Sequence, residues 1–143
     1  MIADHPRVVA TLQRFAWIVF LMAHGIVHAG IWALPRPAGQ ERPFDPSQSW
    51  LSGSQQSLAA WLALCAAVLL VAAGSFLWAE VPSWRPLAVT GLAVSFLLMS
   101  LFFNPWFLPI QVLNAVLIVG LVKLWWPPKA TNIRTSRVSF FGV

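Results

Sequence analysis

The sequence predicts an all-α integral membrane protein: an up-down-up-down bundle of four transmembrane helices, with a short interfacial helix in the first, outer loop. Three observations carry that expectation. Hydrophobic residues make up 59% of the 143 residues and charged residues only 9%, where a soluble domain carries about 25% charged. The apolar residues fall into four runs, each near the length of about 20 residues that a helix needs to cross hydrocarbon. Prolines and charges gather at the ends of those runs. A small water-soluble globule must cover a large surface with polar groups, and nine Lys/Arg with four Asp/Glu cannot do so. This excludes an ordinary soluble enzyme domain, a disordered chain and a disulfide scaffold. The single cysteine, Cys65, closes no internal disulfide. Open sheets do not survive in lipid, and the runs are too long for barrel strands.

The first span is Phe15–Leu34, between Arg14 and the breaker Pro35-Arg36-Pro37. It is too long for the apolar stretch of a usual signal peptide, and no small-x-small cleavage site follows, so it is read as a retained span. The second is Leu58–Ala79, from a Ser/Gln cluster to Glu80. The third is Leu87–Phe103, between Pro86 and Asn104-Pro105. The fourth is Phe107–Trp126, closed by Pro127-Pro128, with Pro109 tolerated in its first turn. Residues 1–14 then form an N-terminal segment, 15–126 the membrane domain and 127–143 a basic tail. The links after spans two and three are short, which makes consecutive spans antiparallel neighbours. Across the first of them, Glu80 and Arg85 are placed to pair.

Orientation follows from Lys and Arg. Arg7, Arg14, Arg85, Lys123, Lys129, Arg134 and Arg137 lie on one side, and Arg36 and Arg42 on the other. The positive-inside rule therefore puts both termini in the cytoplasm, which implies an inner (plasma) membrane. The same distribution accounts for the net charge of +5 without nucleic acid, because the basic residues form no stripe interleaved with exposed aromatics. All nine tryptophans lie within about a turn of a span boundary and are expected to anchor at the interfaces, Trp50, Trp106, Trp125 and Trp126 among them.

The long loop, Pro35–Ser57, contains Asp45-Pro46-Ser47-Gln48, an Asp cap followed by proline at the first helical position. A short helix lying on the outer surface, with Trp50 and Leu51 dipped into the interface, is expected there; the loop either merely connects or forms a lid over the outer mouth of the bundle. In the tail, Lys129, Arg134 and Arg137 can each gain about 1 kcal/mol against anionic headgroups.

Polar residues within the spans carry what functional information there is, since each costs free energy in hydrocarbon unless satisfied. His24 and His28 share one face of span one, one turn apart. Cys65 and Ser75 lie in span two, Thr90, Ser95 and Ser100 in span three, and Gln111 and Asn114 in span four. At a rise of about 1.5 Å per residue, His24, His28, Cys65, Ser95, Ser100, Gln111 and Asn114 all fall in the outer half of the membrane. A polar pocket around the histidines, opening outward, is the expected site, with Ser95, Asn114 and Cys65 as further candidates. The inward face of span one is the one with Gly25, His28 and Ala29, whose small residues permit close helix packing; Ala59, Ala63 and Ala67 continue such a stripe in span two.

No nucleophile–base–acid set, phosphate loop or intramembrane carboxylate pair is visible. The expected function is therefore that of a small non-enzymatic membrane protein, an accessory subunit or binder, whose partner is a larger membrane complex, another copy or an apolar ligand. Two other readings stay open. An i, i+4 histidine pair is a two-point chelate for Zn or Cu, or an axial ligand to haem or a chlorin, which would make a membrane redox or metal-dependent enzyme. Histidine also titrates near neutrality, which suits a component of a small proton-linked transporter.

Overall fold

The computed structural model describes residues 5–33, 39 and 56–123. Within them the chain is all helical and has four helices long and apolar enough to cross a membrane. Helix α1 spans His5–His28 and continues as a π-helical turn, Ala29–Ala33. Helix α2 spans Gln56–Trp78, α3 Trp84–Leu101, and α4 Leu108–Lys123, the last entered through a 3₁₀ turn at Pro105–Phe107. The expected loop helix, with Trp50, lies outside the described residues, as do Trp125, Trp126 and the tail residues Lys129, Arg134 and Arg137.

The ends of the elements follow from local chemistry. Helix α2 stops at Glu80, which takes a left-handed backbone conformation (φ 61°). The Val81 amide there donates to the Phe76 carbonyl (2.8 Å) and the Glu80 amide to that of Leu77 (3.3 Å), which satisfies two of the last carbonyls of the helix. Pro82 prevents its continuation. Helix α3 starts three residues earlier than the sequence suggested, because Pro86 sits in the first turn, where a missing N–H costs nothing. Asn104 opens the 3₁₀ turn by accepting a hydrogen bond from the Trp106 amide (3.1 Å). Helix α1 reaches back to His5, well before the expected start of the span at Phe15.

Two apolar clusters give the topology. One joins Trp17 and Leu21 of α1 to Leu70 and Leu77 of α2, Trp84 and Leu92 of α3, and Leu121 of α4. The other joins Trp32 to Ala59 and Ala63, to Leu98 and Phe102, and to Phe107. Each cluster unites one end of every helix, so successive helices run antiparallel, as the short links require. Helix α1 packs along α2, α2 along α3, and α3 along α4, while α1 and α4 scarcely touch.

Small residues set the two tightest seams. A Cβ on Gly25 would come within 2.9 Å of the Ala67 carbonyl oxygen, and one on Gly91 within 2.9 Å of Leu70 Cγ. Ala59, Ala63, Ala66, Ala67 and Ala73 are buried between the helices. Gly25 and His28 do lie inward, on the face the sequence indicated. Around the outside run Leu12, Phe15, Val19, Ile26, Val27, Val68, Val112, Val116 and Val119, all exposed. An apolar exterior around buried polar side chains is the pattern of a chain whose solvent is lipid.

Candidate functional site

The site begins with histidine spacing. His24 and His28 are one turn apart on α1, and their rings meet edge to face at 4.9 Å between centroids. His28 is only 2% exposed, and its Nε2 lies 2.7 Å from the Ser95 hydroxyl oxygen on α3. Asn114 of α4 donates from Nδ2 to that same oxygen, also at 2.7 Å. Ser95 and Asn114 are fully buried. One serine oxygen thus ties together α1, α3 and α4. The His24 imidazole comes close enough to the Asn114 amide to interact with it.

The hydrogen-bonding ledger of this group does not close. His24 Nε2, His28 Nδ1 and Asn114 Oδ1 are all buried with no hydrogen-bond partner among the described residues. Ser95 has one proton and two lone pairs, and its contacts in the cluster are with His28 Nε2 and Asn114 Nδ2 alone. A buried polar group without a partner costs roughly 1–3 kcal/mol, and native interiors leave few of them. Three on one cluster mark it as the polar focus of the bundle.

Sequence reasoning placed seven polar side chains at this depth, and four of them meet: His24, His28, Ser95 and Asn114. Gln111 and Ser100 form a separate pair, Gln111 Nε2 donating to Ser100 Oγ at 3.1 Å while Ser100 donates to the Phe96 carbonyl. Cys65 is exposed and takes no part in the cluster; a lipid-facing α2 position carries it away from the histidines. That matters for the metal reading. His28 Nε2 is committed to Ser95, Cys65 does not reach the imidazoles, and among the described residues no three His, Cys, Asp or Glu side chains come together. The donor set that remains does not resemble a transition-metal site, which wants three or four N or S ligands. Ser75 bonds the Val71 carbonyl of its own helix at 2.9 Å, as its inner position suggested.

Four side chains lie where the sequence did not put them. Of the tryptophans expected at the interfaces, Trp61, Trp78 and Trp106 are exposed, but Trp17, Trp32 and Trp84 are buried core residues. Trp32, on the π-helical turn, packs between Phe102 and Phe107, with ring centroids 5.9 Å from each, and its Nε1 has no acceptor among the described residues. Glu80 pairs with Arg14 at 2.6 Å, where Arg85 had been expected. Arg14 also donates to the Leu77 and Trp78 carbonyls at the end of α2, which pins α1 to α2 at that end of the bundle. The signal for this pair was the length of α1: once the helix reaches back to His5, Arg14 lies level with the α2–α3 turn.

A groove runs beside the cluster, between the separated helices α1 and α4. Ala16, Trp17 and Phe20 line it on one side and Leu113 and Leu117 on the other. At its inner end Phe20 stacks on His24 at 5.3 Å and 28°. Leu113 directly precedes Asn114 in the chain.

Compared with known protein families, curated proteins and solved structures, the chain matches none.

Proposed function

We propose that this is a small, non-enzymatic integral membrane protein that binds a lipophilic molecule at the His24–His28–Ser95–Asn114 cluster. The observation that supports this reading is the set of three buried, unpartnered polar atoms in a bundle whose exterior is hydrocarbon-like. A ligand with a polar group would complete their hydrogen bonds, and the apolar helices around them would take the rest of it. Among the described residues the only carboxylate is Glu80, held by Arg14 at the α2–α3 turn, so the cluster has no acid or base beyond its imidazoles. That favours binding over catalysis. The excess of Lys and Arg on one side of the spans favours an inner membrane, with both termini in the cytoplasm.

The test is native mass spectrometry of the full chain extracted with its surrounding lipid. Wild type is expected to retain a small molecule in fixed ratio. His24→Leu and Asn114→Leu should lose it while keeping their helical circular dichroism, and Cys65→Ala should keep it. Retention unchanged in His24→Leu, or a wild-type chain that carries only bulk lipid or a fixed larger protein, would overturn the reading.

A further inference from the structure

Resting on that binding role, we infer that the ligand is a long-chain lipid with a neutral hydroxyl head, which reaches the cluster sideways from the bilayer through the groove between α1 and α4. Geometry supplies the route. The first and last helices of the bundle stand apart, and the groove between them is apolar along both walls. Neither wall carries a charged or amide side chain, and Phe20, on the α1 wall, is the ring stacked on His24. Phe20 also meets the edge of Trp17 at 6.1 Å and 86°, so it closes the groove as part of an aromatic stack. Rotation of this one side chain brings the groove to the His24 imidazole. On the facing helix, Leu113 lines the groove and the next residue, Asn114, carries another of the unpaired atoms.

Donor and acceptor chemistry selects the head group. Asn114 Oδ1 is an acceptor only and lacks a hydrogen-bond partner among the described residues although the His24 imidazole lies near the Asn114 amide, so a ligand proton completes it where His24 does not. His24 Nε2, in the tautomer that carries a proton there, needs an acceptor. One hydroxyl does both at a single oxygen. A ketone or a quinone carbonyl accepts but does not donate, and would leave Oδ1 unpaired. An ionised head would need a cation beside it, and the guanidinium nearest along α1, Arg14, is already engaged by Glu80 and two backbone carbonyls. The hydrocarbon tail then lies along Ala16, Phe20 and Leu117 and continues into the bilayer.

The experiment uses the full chain in nanodiscs and two photoreactive probes, hexadecanol and the matched methyl ketone, each with a diazirine in its chain. The alcohol is expected to label the groove walls, residues 16–20 and 113–117, in competition with plain hexadecanol. The ketone should bind about tenfold more weakly, because it leaves a buried acceptor unpaired. Leu113→Trp fills the groove from its half-exposed lipid side without touching the polar cluster, and should cut labelling by a similar factor while leaving helicity and thermal stability unchanged. Equal or stronger labelling by the ketone overturns the head-group assignment. Labelling away from the groove, or indifferent to Leu113→Trp, overturns the route. In both cases a native small molecule lost on His24→Leu would leave the binding role standing, whereas no retained molecule and no saturable labelling would bring down both.

Discussion

Ser95→Ala is the most direct probe of the cluster. The serine oxygen is fully buried and is shared by His28 Nε2 and Asn114 Nδ2, each at 2.7 Å. Removing it strips two hydrogen bonds at once and adds two unpaired atoms to the three already present. In membrane proteins an interhelical hydrogen bond contributes about 0.6 kcal/mol on average and up to about 1.7 kcal/mol. Two such bonds, with no volume lost beyond one oxygen, put the cost at about 1–3 kcal/mol. Ser75→Ala is the control, since that hydroxyl bonds only a carbonyl of its own helix on an exposed face; its effect should stay within about 0.5 kcal/mol. Reversible unfolding in mixed micelles, followed by circular dichroism, measures both. A double-mutant cycle of Ser95→Ala with Asn114→Leu should show positive coupling, because each change removes a bond the other also removes. If Ser95→Ala is as stable as Ser75→Ala and the cycle is additive, the cluster is not a linked network and the site built on it falls.

Three further predictions test the frame around the site. Gly25→Ala should destabilise the bundle by about 1–3 kcal/mol, since its Cβ meets backbone at Ala67, whereas Gly30→Ala, with nothing within 4 Å, should be neutral or gain up to about 1 kcal/mol; thermal unfolding of the pair decides whether the α1–α2 seam is as close as described. Glu80→Gly should be at least as stable as wild type, because relief of a left-handed non-glycine residue, about 1 kcal/mol, outweighs an exposed ion pair worth less than that; clear destabilisation would show that the Arg14 contact matters more. Trp32→Phe should match wild-type stability, since it keeps the packing against Phe102 and Phe107 and removes an N–H that has no acceptor, while Trp32→Ala should cost about 3–5 kcal/mol. A large loss in Trp32→Phe would show that the indole N–H is bonded after all.

The four helices were legible because hydrocarbon imposes a length and a composition that leave few alternatives. Link lengths gave the antiparallel order, and the histidine spacing gave the inward face of α1. Periodicity could not fix the rotation of α2, so Cys65 was grouped with polar residues from which it is turned away. Gln111 is buried but bonds Ser100 on α3 and not the histidine cluster, a choice of partner that depth alone does not reveal. The tryptophans misled for a related reason: closeness to a span boundary says how deep a residue lies, not which way it points. Trp17 and Trp84 sit near one end of the bundle, as expected, but face its axis. Nothing in the residue pattern announced the π-helical turn at Ala29–Ala33, although wider turns of this kind are often found at functional sites.

The way the helices are joined explains why the polar cluster should govern the last of them. The α1–α2 and α2–α3 seams are closed by glycine and alanine, where backbones approach and dispersion acts over many atoms. Helix α4 has no such seam: a Cβ on its Gly120 would meet nothing within 4 Å. Among the described residues it packs along α3 and reaches α1 through side chains. Asn114 is the buried residue that bonds it to the others at mid-span, with Gln111 one turn away doing the same toward Ser100. An element held by a few bonds of about 0.6 kcal/mol each can be displaced at little cost, unlike one locked by interdigitated packing. A ligand hydroxyl that bonds Asn114 Oδ1 would therefore act on the contact that sets the position of α4. The groove for its tail lies along the same side of that helix, so occupation of the site and the spacing of α1 from α4 become one variable.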